Sequence, residues 1–370
     1  MLKHRIKGYL SKIIKRGWRR YSGSFNQQGL EPYLVYAKSG YPVDIPIDVD
    51  DARFLQEMRQ FATHCHQECV YDYTGPCYIE PLHGYIITAR FALIEKSFSY
   101  HHMFDGVLPR MLWNTWNNSR GRNGTLKRVE TAISLRDINE GNYWHFYDDI
   151  LSKLLVADRL NLSRDVPVLV GERLWKTPFF QSAIQRGTLK QRNWMLHQEN
   201  IQADRLVFCT KMSLQRENFE FALAALDFQP RQAMASAKRI FLNRGKSQGR
   251  YLSNLNQVIS VLTDFDFQVV DTAVLELQEQ MDLFAQARYV VGVHGAGLVN
   301  LIHRQNQELN LLELFAPYHI YPHYVWLCHT FGYGYDAIVG TNTSGEAGQS
   351  FTVNLNKLRE KVANMLHPAS

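Results

Sequence analysis

Apolar and polar positions along the 370-residue chain repeat with two alternating periods. Short runs rich in Val, Ile, Leu and Phe fit buried strands, and stretches repeating at i, i+3 and i+4 fit amphipathic helices. In the C-terminal part the alternation is regular. Strands are expected at 239–242, 267–270, 289–293, 309–315 and 335–339, with helices at 252–262, 277–287, 322–331 and 355–366 and another opening at Ala296. Strands separated by single helices cannot form hairpins, so they pair in parallel through right-handed crossovers. The earlier part is looser. It has a hairpin-like stretch at 77–96 turning near His83-Gly84, a loop rich in Asn, Arg and Gly at 114–125, and a long helix over 143–159. A strand at 166–170, a helix at 178–185 and a strand at 205–209 follow. The pattern restarts after Asp227-Phe228-Gln229-Pro230, which divides the chain into a segment 1–22, a first α/β domain 23–229 and a Rossmann-like domain 230–370. Two such domains facing each other leave an interdomain cleft at the C-terminal edges of their strands.

Composition narrows the class. With 45% apolar, 12% aromatic and 21% charged residues, the chain is a folded globular protein with material for more than one core. The formal charge of +6 is concentrated at the start: eight Lys or Arg fall in the first twenty residues, and no acid precedes Glu31. Without those eight, 33 basic residues face 35 acidic ones, so the body carries a net −2 and nucleic acid is not an expected partner. In the opening segment Leu2, Ile6, Tyr9, Leu10 and Ile13 form one apolar stripe with most cations opposite it. Such a helix lies on an anionic membrane surface or is simply solvated. No run suits a spanning helix or a signal peptide, so a cytoplasmic chain, peripheral on the inner face of the plasma membrane, is expected. Five cysteines fit reduced thiols rather than a disulfide framework. Cys65, Cys69 and Cys77 cluster with His64, His66 and His83, but their spacing matches no zinc motif, leaving ordinary thiols or a metal site open.

Three segments carry chemistry. In Val290-Val291-Gly292-Val293-His294-Gly295-Ala296-Gly297-Leu298-Val299-Asn300 a buried strand meets a glycine-rich turn and a helix start. Free amides at a helix N-terminus seat a phosphate, and His294 adds a donor; glycines used for packing alone are the other reading. A dinucleotide fingerprint is disfavoured because Asn300 stands where a third glycine belongs, yet Glu313 fits a ribose-hydroxyl acceptor. The loop Arg244-Gly245-Lys246-Ser247-Gln248-Gly249-Arg250 follows a strand and suits pyrophosphate neutralisation, unless it is a solvated turn. It is no Walker A loop, since Ile240 stands where that motif needs glycine. Within 142–151, His145 and Asp149 lie four apart on one helical face, where they can deprotonate an acceptor hydroxyl or merely solubilise the helix. Asp148 is the other candidate base. Neither Asp48-Val49-Asp50 nor Asp264-Phe265-Asp266 reads as a metal site.

Together these segments resemble glycosyltransferase family 61, which includes bacterial capsular-polysaccharide enzymes and eukaryotic xylosyl- and N-acetylglucosaminyltransferases. The resemblance covers 142–315. It rests on the run 277–287, then Val291 to Asn300 and Leu312-Glu313-Leu314, with Arg244, Arg250 and Asn254 upstream and a motif over Asn142 to Lys153 that departs from the family at Phe146, Ser152 and Lys153. It implies a GT-B-like fold with two facing domains and an inverting hexosyl-, N-acetylhexosaminyl- or pentosyltransferase of bacterial type. It also implies a nucleotide-sugar donor, UDP-linked by analogy, and no metal or other cofactor. Arg244, Arg250, Asn254, His294, Gly295, Ala296, Gly297, Asn300 and Glu313 would bind the donor, and Asp149, assisted by His145, would accept the proton. The acceptor would be a surface polysaccharide or a lipid-linked glycan. The alternative is a non-catalytic nucleotide-sugar or glycan-binding component of a polysaccharide assembly complex.

Overall fold

The regular C-terminal alternation folds as its period requires. In the computed structural model, strands Lys238–Leu242, Gln268–Val270, Ala287–Val293, Asn310–Phe315 and Gly334–Val339 form one all-parallel sheet. The second strand lies outside the first, while the third, fourth and fifth follow on its other side. The winding therefore reverses between the first and third strands, and the loops leaving their carboxyl ends diverge to open a crevice. Phe241, Val291, Leu312 and Ile338 bury against Val258 and Leu262 of helix Leu255–Thr263 and Leu358 and Val362 of helix Leu355–Leu366. The helix expected at Ala296 is the tighter 3₁₀ form, Ala296–Arg304.

The first sheet is mixed. Strands Ile201–Cys209, Lys127–Ser134, Val168–Gly171 and Trp194–His197 run parallel in that order, and Cys69–Ile79 pairs antiparallel with Ile201–Cys209. Ile86–Thr88 returns antiparallel on Cys69–Ile79, which confirms the hairpin at His83-Gly84, where Gly84 takes a φ of 78°. Lys127–Ser134 and Trp194–His197 are not predicted from the pattern: charged residues interrupt the first, and the second is a run of only four residues, Trp-Met-Leu-His. The helix expected over 143–159 is divided into a short α-turn Tyr143–His145, a π-helix Phe146–Leu151 and an α-helix Ser152–Asp158.

The structure describes residues 51–61, 69–89, 126–209, 216–229, 237–245, 249–305, 307–342 and 350–367, the short strands 34–35, 39–40 and 65–66, and single positions 49, 94 and 97. The basic segment 1–22, the loop 114–125, Lys246 and the side chains of His64, Cys65, His66 and Cys69 lie outside them. Cys77 is described and is a buried free thiol, pushed up to about 12 by burial. Among the described residues no helix is long and apolar enough to cross a membrane.

The chain divides into two compact units, 1–38 with 66–213 and 39–65 with 214–370. Residues 39–65 and 214–229, both read from sequence as part of the first domain, thus belong to the second unit, the latter with Phe219 on Phe331 and Phe228 on His303. The reason is burial: Val49 and, from helix Ala52–Phe61, Phe54 and Met58 pack with Phe315, Ile320, Val325 and Ala337. Asp51 caps that helix by accepting from the amides of Arg53 and Phe54, each at 3.0 Å.

Candidate functional site

Strand Lys238–Leu242 runs into Arg244, and strand Ala287–Val293 runs into His294 and Gly295, so both loops leave the carboxyl ends that flank the reversal point of the second sheet. Arg244 Nε donates to the Gly249 carbonyl at 2.7 Å, which closes its loop. Gly249 and Arg250 follow in left-handed conformations, φ 64° and 53°, and this turn brings Arg250 back toward Arg244. Burial, then the neighbouring Arg250 cation, lowers Arg244 to about 10. Burial likewise lowers Arg250, against the opposing pull of Tyr324, Tyr318 and Glu313. Two half-buried guanidiniums, with the Arg250 cation disfavouring the charge of Arg244, have the donors that an anion needs.

The glycine turn lies against the Arg244 guanidinium. Gly295 is extended, so its backbone angles suit any residue, but a side chain there would run into the Arg244 guanidinium. The other two glycines serve packing: a Cβ on Gly292 would stand 2.7 Å from Leu298, and one on Gly297 would stand 2.9 Å from Thr272 Oγ1. Gly295 accepts from the Leu298 amide at 3.1 Å and from the Tyr324 hydroxyl at 2.5 Å. The first amides of the 3₁₀ helix, from Ala296 and Gly297, have no acceptor inside it and point out of its N-terminus. Asn300 is fully buried and donates to Gln280 Oε1 at 2.9 Å and the Gly297 carbonyl at 3.1 Å, so it braces the turn from behind.

His294 Nδ1 lies 2.6 Å from Glu313 Oε1, and the Tyr335 hydroxyl donates to Glu313 Oε2 at 2.8 Å. Glu313, expected at a ribose, is entirely buried beneath the histidine. Burial, then Arg250 and Arg244, lowers His294 to about 3 and keeps it a neutral imidazole. Its ring stacks on Phe315 at 5.0 Å, with His319 and Tyr324 edge-on at 5.3 and 5.5 Å. Asn254 bonds both ways with Val353, donating to its carbonyl at 2.9 Å and accepting from its amide at 3.2 Å. It also lines a pocket of about 740 Å³ beside Arg244, with Asn243, Tyr251 and Ser253. That volume suits a small organic ligand.

In the first unit, Asn142 opens the helix by accepting from the Trp144 amide at 2.9 Å, and His145 Nδ1 stands 2.5 Å from Asp149 Oδ2. The wider π-turn brings Asp148 round to the same side, so that ligand-capable atoms of His145, Asp148 and Asp149 all lie within 4.8 Å of one another. This set has the donors to hold a divalent ion, and equally to share and pass a proton. Phe146 keeps an aromatic at its position, packing on Phe179 at 5.4 Å, and Ser152 lets the helix continue where a proline would stop it. Lys153 keeps a cation: burial opposes its charge, but Asp137, bonded at 2.9 Å, and Asp149 outweigh that and raise it.

Sequence reasoning missed Asp137, Tyr324, Tyr335 and His319. The last three lie in the run 317–335, dense in Tyr and His, whose composition was the available signal. It also missed a pocket of about 410 Å³ at the carboxyl ends of the first sheet, lined by Arg136, Glu140, Arg173 and His197. There Arg136 donates to His197 Nδ1 at 2.7 Å and to the Pro81 carbonyl at 2.9 Å.

Residues 143–308 match the model of glycosyltransferase family 61. The matched stretch holds both the His145–Asp149 pair and the Arg244, Arg250 and His294–Asn300 loops, and ends before Glu313. The family match supports glycosyl transfer as the class of activity. No curated protein matches the chain. Among solved structures, the dodecameric iron-containing heptosyltransferase TibC in complex with ADP-D-β-D-heptose is similar at 15% identity and a TM-score of 0.29, over 60% of this chain and 65% of that one. The aligned part thus spans less than two thirds of that structure's chain.

Proposed function

We propose that the protein is an inverting glycosyltransferase that moves a sugar from a nucleotide-sugar donor, a UDP-sugar on the family resemblance, to a hydroxyl of a surface polysaccharide or lipid-linked glycan. The reading includes the GT-B-like two-domain architecture that the resemblance implies, and docking of residues 1–20 on an anionic membrane surface. The observation that carries it is the convergence of Arg244, Arg250 and the N-terminal amides of Ala296–Arg304 at the reversal point of a parallel sheet.

In this scheme the acceptor oxygen attacks the anomeric carbon as Asp149, oriented by His145, takes its proton. The bond from that carbon to the diphosphate oxygen breaks, and its electron pair leaves with the nucleoside diphosphate. One displacement from the opposite face inverts the anomeric centre. Arg244, Arg250 and the turn amides stabilise the charge that builds on the diphosphate, an electrostatic role that needs no metal. The His145–Asp149 contact favours an enzyme over a binding module, which has no use for a proton acceptor.

The test is a thermal-shift panel of nucleoside diphosphates and nucleotide sugars, followed by donor turnover. A ligand of the native state raises the melting temperature. Arg250→Ala is expected to keep the fold and to lose about 10²- to 10³-fold in turnover, as for other donors to a developing anion. Turnover that survives EDTA belongs to the metal-free scheme; loss restored by Mn²⁺ would replace it with one in which His145, Asp148 and Asp149 hold the ion. A panel without any shift would count against the donor site itself.

A further inference from the structure

We propose that Glu313 is a positioning residue of the donor site: backed by Tyr335, it donates a hydrogen bond to His294 Nδ1 and so holds His294 in the tautomer that offers its Nε2–H to the departing diphosphate. This rests on the donor reading above and goes beyond it, since it replaces a ribose contact for Glu313 with an action through His294.

The geometry is specific. Glu313 sits in the middle of strand Asn310–Phe315, opposite Gly292 on one side and Ala337 on the other, and has no exposed surface. Its two oxygens meet an imidazole nitrogen at 2.6 Å and a phenol hydroxyl at 2.8 Å, and among the described residues no cation bonds to it. Tyr335 donates to Oε2, so Oε2 is an acceptor. A carboxylic acid in this environment places its single O–H on Oε1, where it faces His294 Nδ1. Nδ1 then accepts, and a neutral imidazole carries its one hydrogen on Nε2. The competing arrangement, a carboxylate receiving Nδ1–H, needs a charge on a group without exposed surface, which burial opposes more strongly than Tyr335 and Arg250 favour it, and leaves Nε2 as a lone pair. A lone pair repels phosphate oxygen. An imidazolium is opposed as well, by burial of the ring first and then by Arg250 and Arg244.

The ring itself is fixed. It stacks on Phe315, while Phe54 of helix Ala52–Phe61 packs on both Phe315, at 5.7 Å, and Tyr335, at 6.4 Å. The same helix therefore supports the histidine and the tyrosine behind the acid.

The experiment is ¹⁵N NMR of the histidine side chains in the full chain, with the His294 signals assigned by their loss in His294→Gln. The expected spectrum has a protonated Nε2, an unprotonated hydrogen-bonded Nδ1 and no imidazolium from pH 5 to 8. In Glu313→Gln the amide N–H still donates to Nδ1 and the amide oxygen still accepts from Tyr335. The tautomer should persist, and turnover should fall by less than about tenfold. Glu313→Leu should lose the tautomer restraint and about 10²-fold in turnover, the scale of a mis-set donor to a developing anion. An Nδ1–H tautomer or an imidazolium in the wild type, or a Gln variant as impaired as the Leu variant, would overturn the assignment. If Glu313→Leu does not fold, the wild-type and Gln spectra still decide. Titration with nucleoside diphosphates separates the two readings. A His294 Nε2–H signal that shifts on binding supports both, whereas the predicted tautomer with no response to any nucleotide overturns the donor reading and leaves the Glu313–His294 arrangement standing.

Discussion

A glycine can be kept for function or for packing, and the two uses leave different marks at neighbouring positions. At Gly295 an added methyl meets the guanidinium end of the long Arg244 side chain, whereas at Gly297 it meets Thr272 Oγ1 at 2.9 Å and Leu242 at 3.4 Å. Gly295→Ala is therefore expected to stay within about 0.5 kcal/mol of wild-type stability in urea, while its nucleotide-induced thermal shift is lost as the guanidinium is displaced. Gly297→Ala should cost about 1–3 kcal/mol through overpacking. Glu313 gives a second single-residue test. Burial raises its folded pKa well above 4.5, so folding takes up a proton at any pH between the unfolded and folded values. Its contribution to stability is full below the unfolded value and is lost as pH rises through that window. Glu313→Gln removes the dependence. Calorimetry at pH 5, 6.5 and 8 should show the variant gaining on the wild type as pH rises, and a gap that stays level would mean that the native carboxyl is ionised.

Elements differ in how far their sequences announce them. All five strands of the second sheet and its flanking α-helices fall where the apolar period puts them, because a strand covered on both faces has an apolar run at its centre: polar residues such as Lys238, Gln268, Arg288 and Asn310 sit at the strand starts, and Glu313 is the buried exception inside one. That exception was itself a legible sign, a carboxyl group at the centre of Leu-Leu-Glu-Leu-Phe that had to find a partner. Its identity was not legible, since Tyr335 comes from the next strand and the pairing is set by register. Strand Lys127–Ser134 was hidden for the converse reason: its first residues are mostly exposed, and only its last three are buried. The π-helix Phe146–Leu151 was hidden too. A sequence spacing of four placed His145 beside Asp149 correctly, but only the widened turn adds Asp148 to them. The basic loop at 244–250 was legible as charge and glycine, whereas the return of Arg250 to Arg244 depends on two consecutive left-handed residues.

Across the whole molecule, the segment least readable was the one that leaves its neighbours in sequence. Helix Ala52–Phe61 is strongly amphipathic, yet nothing in its composition says that it packs with residues some 260 positions later, Phe315 and Val325 among them. Phe54→Ala should cost about 3–5 kcal/mol of stability, read by denaturant unfolding. It should also loosen His294 through Phe315 and Tyr335, so that donor turnover falls although the substitution touches no substrate. The chain order gives this helix a further significance. Residues 66–213 are synthesised between it and the strands it must cover, so the first unit is complete while the partner of Phe54 has yet to emerge from the ribosome. A fragment cut at 214 would leave the ribosome with a bare apolar face, whereas the full chain carries its own cover, made early and held in waiting until the last strands arrive.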